Sequence, residues 1–307
     1  MENIENIIAK DLGWSITNIQ LSKLNMGDVN TSYVAKYEGE NIFIKIQNKD
    51  NLPKFYSQQI MREVCGIQIC SKNKIPCSEI ISFSFGETPY IITKYINDSL
   101  LSSQWEYMTD AQKLMVKKDV FIILKKFRNI HFESYGSIIE NGELGNYNNW
   151  GDAFYSLIQM GINDCKKYGT LNNNEELVIL EATKDCTLKL TEKLIPSLNH
   201  MDLHWNNIFV KKQNDAFTIT GIIDFGSALA APYYMDLFRL NGGFLYGTEK
   251  FYKDIDKQYK LDENQLFSAD LLNTIDYFIF LSFMKHDISA VKTRMLEICS
   301  NYMKRVI

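Results

Sequence analysis

The first third of the chain alternates apolar and polar positions with the period of two that predicts β-strands. Residues 21–37 are predicted to form a strand, a glycine-containing turn and a second strand, and residues 41–46 a third strand. An apolar run over residues 89–96 predicts a buried strand that leads into a polar loop. One helix is predicted in this region, over residues 54–72, where the apolar spacing changes to three and four.

After residue 96 the apolar positions recur at helical spacing over long segments. Helices are predicted over residues 110–131, 150–168 and 175–194, and several more between residue 236 and the last residue. Strands followed by helices predict an α+β architecture. We expect residues 1–96 to form an N-terminal lobe that includes the hinge strand, and residues 97–307 a helical C-terminal lobe.

A β-hairpin is predicted inside the helical region. Residues 208–210 and 217–220 are β-prone, and residues 213–215 form a polar turn between them. If no bulge intervenes, pairing about a centre between Asp215 and Ala216 would place Asn207 directly opposite Asp224, about 4.5–5.5 Å apart. An amide oxygen and a carboxylate at that distance suit Mg²⁺, which prefers oxygen ligands. Asp202 precedes the hairpin on a loop, where it can face a substrate hydroxyl.

A lysine and a glutamate in the first region each need a partner of opposite charge. Lys45 lies on a strongly apolar strand, and burying an unpaired ammonium is costly. Glu63 lies between Ile60 and Ile67 on one apolar stripe of the predicted helix. We predict a Lys45–Glu63 ion pair. The alternative is that Lys45 reaches solvent from an edge strand and that Glu63, next to Arg62, is exposed.

The segment His-Met-Asp-Leu-His-Trp-Asn-Asn at residues 200–207, followed by Asp-Phe-Gly at 224–226, resembles the catalytic and metal loops of the aminoglycoside phosphotransferase family of small-molecule kinases. The family's usual form is His-Gly-Asp-Leu-His-x-x-Asn. This chain departs from it at Met201, where glycine is common, and at Trp205-Asn206, where Pro-Gly is frequent. The resemblance implies a two-lobed protein-kinase-like fold, with a β-rich nucleotide-binding lobe and a largely helical lobe that holds both loops and the substrate site.

The resemblance also implies roles for individual residues. Asp202 would accept the proton of the acceptor hydroxyl, and Asn207 and Asp224 would hold Mg²⁺. ATP is the expected nucleotide, with GTP as an alternative. The residues assigned to the nucleotide are Gly27, Asn30 and Ser32 in the glycine turn, Lys45 and Glu63 at the phosphates, and Thr93, Lys94 and Ile96 at the hinge. A β-hairpin needs such a glycine turn in any case, so a purely structural role is the alternative for the first three.

Two further residues are expected to support the site. Asp236, in a Pro-x-x-x-Asp-Leu element, resembles the family residue that hydrogen-bonds the catalytic-loop backbone, and a helix N-cap is its alternative role. His200 is expected to brace the metal loop by hydrogen bonding. Another interpretation takes His200, Asp202 and His204 as ligands of a transition metal in a hydrolase, but two histidines four residues apart make a good ligand pair only on a helix.

The composition limits the class of protein but does not identify it. The chain has 307 residues, 46% apolar and 23% charged, which is typical of a globular protein with room for two cores. Its formal net charge of −4 argues against a nucleic-acid partner. Six cysteines lack paired-ligand spacing and are expected to be reduced thiols. We expect neither a leader peptide nor a membrane partner, and a cytoplasmic location.

The expected activity is ATP-dependent transfer of the γ-phosphate to a hydroxyl of a small molecule, with an aminoglycoside-type antibiotic or a similar compound as acceptor and antibiotic resistance as the consequence. One alternative is a metabolite kinase for choline, homoserine or a sugar. Another is a nucleotide-binding protein without transfer activity, which would not need Asp202. A polycationic aminoglycoside requires an acidic cleft, and the acidic run at Asp254, Asp256, Asp262 and Glu263 could supply it or simply be solvated surface.

Overall fold

The computed structural model describes residues 4–24, 29–48, 52–190, 193–240 and 260–306. The chain divides into two compact units that alternate along the sequence. The first contains Met1–Leu52, Gln58–Ile123 and Trp205–Ser227, and the second contains Pro53–Ser57, Leu124–His204 and Ala228–Ile307. The hairpin that follows residue 204 therefore belongs to the first unit. The lobe boundary between residues 96 and 97 stays a prediction.

The described part of the chain contains both strands and helices, separated by loops and turns. The strands are β1 (Gln20–Leu24), β2 (Asn30–Tyr37), β3 (Glu40–Gln47), β4 (Ile80–Ser84), β5 (Tyr90–Lys94), β6 (Ser99–Leu100), β7 (Tyr135–Ser137), β8 (Asn146–Tyr147), β9 (Ser197–Asn199), β10 (Ile208–Gln213), β11 (Ala216–Ile222) and β12 (Leu229–Ala231). The helices are α1 (Ile4–Leu12), α2 (Gln59–Lys72), α3 (Leu101–Gln104), α4 (Asp110–Arg128), α5 (Trp150–Lys167), α6 (Asn173–Lys189), α7 (Met235–Leu240), α8 (Glu263–Met284) and α9 (Ser289–Val306). This composition confirms the predicted α+β class.

A five-stranded antiparallel sheet, in the order β1-β2-β3-β5-β4, is the core of the first unit. One face of β3 carries Ile42 and Ile44, which pack with β5 and with Ile7 and Ile8 of α1. The opposite face carries Lys45, which pairs with Ser32 of β2 across the ladder. Because side chains alternate along a strand, the spacing of Ile42, Ile44 and Ile46 in the sequence predicts that Lys45 lies on the other face, and the structure confirms this.

The helix predicted over residues 54–72 begins later than expected. Lys54–Tyr56 is a separate 3-10 turn, and α2 starts at Gln59 after a left-handed Gln58 with φ 58°. Lys54–Tyr56 belongs to the second unit, where the Asp164 carboxylate accepts hydrogen bonds from the backbone N–H groups of Lys54 and Phe55 at 2.9 and 3.0 Å. Tertiary contacts therefore overrode the helical pattern at these positions.

The predicted hairpin is present as β10 and β11, with β6 added along the outer edge of β10. The predicted register is wrong. Gln213 pairs with Ala216 across a two-residue turn in which Asn214 is left-handed, and a bulge follows between Phe209 and Val210. Asn207 therefore lies opposite Ile223, whose N–H donates to the Asn207 carbonyl at 3.1 Å, and not opposite Asp224.

The second unit combines the sheet β8-β7-β12-β9 with helices α5, α6, α8 and α9, which pack on one another. Helix α5 lies within one residue of its predicted range. Helix α6 begins before the predicted residue 175, because Asn172 is its N-cap and forms a capping box with Glu175, and it ends at Lys189 and not at 194. Helix α4 ends at Arg128, three residues before its predicted end.

Among the described residues, α8 passes a test for a membrane span that considers only length and composition, and 72% of its apolar window is buried in the protein. A core helix of a globular protein passes the same test. The absence of a membrane partner therefore stays a prediction.

Two buried glycines allow a matched test of how tightly the loop after β11 packs on α2, with Gly66 at that contact and Gly161 as the comparison. A Cβ on Gly66 of α2 would lie 2.6 Å from Cβ of Phe225. A Cβ on Gly161 of α5 would instead meet the ends of two flexible side chains, Cδ1 and Cγ1 of Ile275 at 2.9 and 3.1 Å and Cδ1 of Ile279 at 3.1 Å. Both substitutions by alanine gain about 1 kcal/mol of helix propensity. Overpacking against rigid atoms costs about 1–3 kcal/mol.

We expect Gly66→Ala to lower the free energy of unfolding by up to about 2 kcal/mol, since overpacking exceeds the propensity gain. Gly161→Ala is expected to be neutral or stabilising, because the ends of the two isoleucine side chains can move. Urea unfolding of both variants checks this. Equal stability of the two variants would contradict tight packing of Phe225 on α2.

Candidate active site

The ammonium group of Lys45 is the centre of a charged cluster in the first unit. Its Nζ lies 2.6 Å from Oε2 of Glu63 in α2 and 2.9 Å from Oδ1 of Asp224 in the loop after β11. Lys45 is 6% exposed and Glu63 5% exposed. The Lys45–Glu63 pair is therefore confirmed, and the contact with Asp224 was not predicted.

Burial and charge act in opposite directions on Lys45. Burial lowers its pKa, but attraction by Asp224 and Glu63 outweighs burial and raises the pKa well above its ordinary value. Burial raises the pKa of the Glu63 carboxyl, and attraction by Lys45 offsets part of that effect. Strand β3 lies between β2 and β5, so the alternative in which Lys45 reaches solvent from an edge strand is wrong.

Helix α2 also holds the loop that carries Asp224. Arg62, 1% exposed, donates from Nε to the carbonyl oxygen of Gly226 at 2.6 Å. Gly66, one turn further along α2, lets the fully buried Phe225 approach the helix backbone. Three consecutive residues of the Asp-Phe-Gly segment thus contact α2 or its ion pair, which fixes Asp224 relative to Lys45.

Asp224 and Asn207 offer oxygen atoms of the kind that Mg²⁺ prefers. Asp224 has a left-handed backbone with φ 67°, a conformation that aspartate adopts more readily than most residues, and its side chain is 43% exposed. Asn207 is the last residue of the 3-10 turn Trp205–Asn207 and is 6% exposed. The Asp224 carboxylate is partly exposed, and Asn207 lies opposite Ile223, the residue that precedes Asp224. The two side chains therefore suit a hard divalent cation, although their residues are not directly opposite each other.

Three predicted nucleotide residues lie on the same face of the five-stranded sheet as Lys45. Ser32 and Asn30 occupy alternate positions on β2, and Thr93 pairs with Phe43 two positions before Lys45 on β3. Ser32 and Thr93 are each 4% exposed. The Asn30 side chain donates to Oε1 of Gln59 at 2.8 Å, at the start of α2. Gly27 lies outside the described residues.

Two predicted hinge residues lie at the end of this sheet, Lys94 as the last residue of β5 and Ile96 two residues later. The Lys94 backbone N–H donates to the carbonyl of Glu79, and its side chain pairs with the Glu79 carboxylate at 2.7 Å on the surface. Ile96 lies against Gly221, where a Cβ would come 2.5 Å from its Cδ1. The assignment of Lys94 and Ile96 to the nucleotide stays a prediction.

In the second unit, Asp236 holds the loop that contains Asp202. Its carboxylate accepts hydrogen bonds from the backbone N–H groups of His200 and Met201, each at 2.8 Å. This contact was expected from the sequence. Met201 has φ 63°, the left-handed conformation that explains why glycine is common at this position in the family. Two charge-assisted hydrogen bonds at this turn help to offset the strain of a non-glycine residue.

The Asp202 carboxylate is bound by an arginine that the sequence analysis missed. Arg239 of α7 donates from Nη2 and Nε to Oδ1 of Asp202 at 2.6 and 3.1 Å. Burial raises the pKa of Asp202, but attraction by Arg239 and His204 outweighs burial and brings it well below its ordinary value. One signal was available: Arg239 follows Asp236 by three residues, on the same helix face.

The two histidines of the loop do not form a metal site with Asp202. His200 is fully buried, and its Nδ1 accepts a hydrogen bond from the Asp202 backbone N–H at 3.2 Å. His204 Nε2 lies 3.6 Å from Oδ2 of Asp202. Among the residues that the structure describes, no group of three His, Cys, Asp or Glu is arranged to hold a metal ion. The expected bracing of the metal loop by His200 stays a prediction.

The acidic run considered for a cationic acceptor is only partly described. Asp254 and Asp256 lie outside the described residues. Asp262 is the N-cap of α8 and accepts from the backbone N–H groups of Asn264 and Gln265, and Glu263 pairs with Arg305 at 2.9 Å. The structure therefore gives the two described acids roles in capping and surface pairing.

Lys45 allows a double-mutant test of the buried charges. Lys45→Met leaves two carboxylates without their cation and is expected to lower the free energy of unfolding by about 3 kcal/mol. Adding Glu63→Gln to this variant should recover part of that loss. Lys189→Met, which breaks the exposed Lys189–Asp185 pair, is the control and should change stability by less than about 1 kcal/mol. Additive effects in the cycle would contradict a coupled pair.

The buried Asp236 predicts a pH dependence of stability. Burial raises its pKa to about 6, against the opposing hydrogen bonds from His200 and Met201, and an unfolded aspartate has a pKa of about 3.9. The folded protein binds this proton more tightly, so the contribution of Asp236 is fully present below about pH 4 and is lost as the pH rises through about 6.

The free energy of unfolding of the wild type, relative to Asp236→Asn, should therefore fall by up to about 3 kcal/mol between pH 4 and 8. Denaturant unfolding at several pH values measures this difference. A difference that does not change with pH would contradict the raised pKa of Asp236.

Comparison with known proteins identifies the fold. No protein-family model and no curated protein matches this sequence. Among solved structures, a thermostable mutant of aminoglycoside phosphotransferase APH(4)-Ia, in a ternary complex with AMP-PNP and hygromycin B, matches with a TM-score of 0.69 and 12% identity, over 99% of this chain and 98% of that one.

A protein provisionally named fructosamine-3-kinase from Thermobifida fusca YX-ER1 matches with a TM-score of 0.67 and 12% identity, over 99% of both chains. A second such protein, from Haemophilus somnus 129PT, matches with a TM-score of 0.66 and 15% identity, over 97% of this chain and 96% of that one. At this identity the likeness concerns the fold alone. The chain therefore has the kinase-like fold of the aminoglycoside phosphotransferases and of these fructosamine-3-kinase-like proteins, as the sequence predicted.

Proposed function

We propose that this protein is an ATP-dependent phosphotransferase that moves the γ-phosphate of ATP to a hydroxyl group of a small molecule. The observation that carries the proposal is the buried contact of Lys45 with both Glu63 and Asp224. A lysine held this way presents a fixed positive charge on the sheet face that also carries Ser32 and Thr93. Phosphoryl transfer depends chiefly on such positioning and charge stabilisation.

The residues of each unit have separate roles in this proposal. Lys45 offsets phosphate charge, and Asn207 and Asp224 would hold Mg²⁺. When bound, Mg²⁺ neutralises charge that develops on the phosphate oxygens. Asp202 accepts a hydrogen bond from the acceptor hydroxyl and orients it for attack. Because Arg239 lowers the pKa of Asp202, this carboxylate is a weak base, and orientation is its main contribution.

For the acceptor, we propose an aminoglycoside-type antibiotic or a similar hydroxylated compound. The complex of APH(4)-Ia with hygromycin B supports this choice. The fructosamine-3-kinase-like structures support a second candidate, a metabolite kinase acting on a sugar-type hydroxyl. The bound AMP-PNP of the first neighbour supports ATP as the donor.

An ADP-release assay with MgATP tests the function. The acceptor panel should include hygromycin B and other aminoglycosides, a macrolide, a fructosamine, choline, homoserine and simple sugars. Acceptor-dependent ADP release with mass-spectrometric detection of the phosphorylated product is the expected result. MgATP binding without turnover of any acceptor or of water would instead favour a nucleotide-binding protein that performs no transfer.

The two carboxylates should affect different steps. Asp202→Ala is expected to lower kcat by about 10²–10⁴-fold while the Kd of MgATP changes little, because Asp202 faces the acceptor. Asp224→Ala is expected to weaken MgATP binding itself, because it removes a proposed metal ligand. Calorimetric titration with MgATP and steady-state kinetics separate the two effects. Equal, mild effects of both substitutions on both quantities would argue against these roles.

A further inference from the structure

Arg239 lies inside a buried network of charged groups in the second unit. Its guanidinium donates two hydrogen bonds to Oδ1 of Asp202, and Nη2 lies 3.5 Å from Oδ2 of Asp276 in α8. The side chains of Arg239, Asp276 and Asp202 are 5%, 11% and 22% exposed. Asp202, the carboxylate that can meet an acceptor, is thus the most exposed of the three side chains, and Arg239 is the most enclosed.

The network continues from Asp276 to the segment that precedes α2. The Tyr56 hydroxyl lies 2.8 Å from the backbone carbonyl and 3.0 Å from Oδ1 of Asp276 and donates to that residue. Tyr56 is itself buried, and the two residues before it are fixed by the Asp164 carboxylate through their backbone N–H groups. Asp276 therefore lies between Tyr56 and Arg239 and has little freedom to move.

The two hydrogen bonds that Nε and Nη2 of Arg239 donate to Asp202 meet at the same oxygen. Arg239 binds Oδ1, and Oδ2 is the oxygen on the side of His204. Two donors of one planar guanidinium fix the position of Oδ1 more tightly than a single donor of a flexible lysine ammonium can.

We propose that Arg239, held by Asp276 and Tyr56, is a positioning residue that fixes Asp202 through Oδ1 and so presents Oδ2 to the acceptor hydroxyl. This inference rests on the proposed phosphotransferase function. In the transfer, the hydroxyl oxygen bonds to the γ-phosphorus while the bond from that phosphorus to the β–γ bridging oxygen breaks. The electron pair leaves with ADP, and the hydroxyl proton moves to Oδ2 of Asp202 late in the step.

The charges around Asp202 explain why an arginine is needed there. Arg239 and His204 favour the carboxylate, whereas Asp236 of α7 and Asp276 of α8 bring negative charge close to the same cluster. The Tyr56 hydroxyl faces Asp276 and carries no charge, because burial raises its pKa well above its ordinary value. Without the guanidinium, burial and like charges would favour protonation of Asp202 and remove its ability to accept a hydrogen bond.

Kinetics of Arg239→Lys test the positioning role. With MgATP as donor and water as acceptor, we expect kcat to fall about 10–100-fold and the KM of MgATP to change by less than about twofold, because orientation is lost while nucleotide contacts remain. Tyr56→Phe should lower kcat in the same direction by a smaller factor. An unchanged kcat, or a KM that rises in parallel with a fall in kcat, would overturn the proposal.

Arg294→Lys is the matched control. Arg294 of α9 also binds a single aspartate, with Nη2 2.9 and 3.0 Å from the two oxygens of Asp270, but this pair is half-exposed and distant in sequence from the catalytic loop. It should leave both kinetic constants unchanged. Thermal unfolding of each variant shows whether it is folded. If Arg239→Lys does not fold, the kcat of Tyr56→Phe tests the same proposal.

A carboxyl titration separates this inference from the proposed function. Protein labelled with ¹³C at aspartate Cγ gives one signal that Asp202→Asn removes, which identifies Asp202. In the wild type this signal should not titrate above about pH 4, the ordinary aspartate range, and in Arg239→Lys its midpoint should move upward. Identical titration of the signal in both proteins would overturn the inference.

Absence of any wild-type turnover would refute the phosphotransferase function alone, because the titration would still report whether Arg239 controls Asp202. The pH profile of kcat gives the corresponding kinetic readout. Arg239→Lys should show an acidic limb that the wild type lacks at the same pH, since the carboxylate would become protonated there. Superimposable profiles would contradict control of Asp202 by Arg239.

Discussion

The first unit depends on one buried positive charge. An ammonium group as enclosed as that of Lys45 is stable only with anionic partners, and the chain provides two, from a helix and from a loop far along the sequence. The requirement therefore ties the central strand, helix α2 and the Asp-Phe-Gly segment together. Arg62 and Gly66 strengthen the same association through a backbone hydrogen bond and close packing.

In the second unit the buried charges are mostly carboxylates, and they are also stabilised by ion pairs and hydrogen bonds. Several carboxylates lie close together near the catalytic loop, and each has a distinct partner. Asp236 binds backbone N–H groups and shapes the loop, Asp202 binds a guanidinium, and Asp276 receives the Tyr56 hydroxyl. Since burial raises a carboxyl pKa and a nearby cation lowers it, the pKa values of these neighbours differ. Attraction by Arg239 and His204 outweighs burial at Asp202, whereas burial dominates at Asp236.

The departure at Met201 illustrates how a loop can keep its shape without the usual residue. The backbone there is left-handed, which most side chains disfavour by about 1–2 kcal/mol. The Met201 N–H donates to a buried carboxylate, and its side chain is almost fully buried. Both contributions offset the strain. The glycine common in the family is thus one solution to a backbone requirement, and methionine supported by Asp236 is another.

The sequence by itself determined the two faces of β3, the α+β class and the Lys45–Glu63 pair, because these follow from local periodicity and from the need to pair buried charges. The contact of Asp236 with the catalytic loop followed from the resemblance of its sequence element to that of the family. The register of the hairpin depends on a two-residue turn centred between Asn214 and Asp215 and on a bulge at Phe209 and Val210, which the hydrophobic pattern does not specify. Tertiary structure alone decided the late start of α2 and the arginine on Asp202. A segment held by Asp164 and a side chain on a short helix each depend on contacts between residues far apart in sequence, which local patterns do not encode.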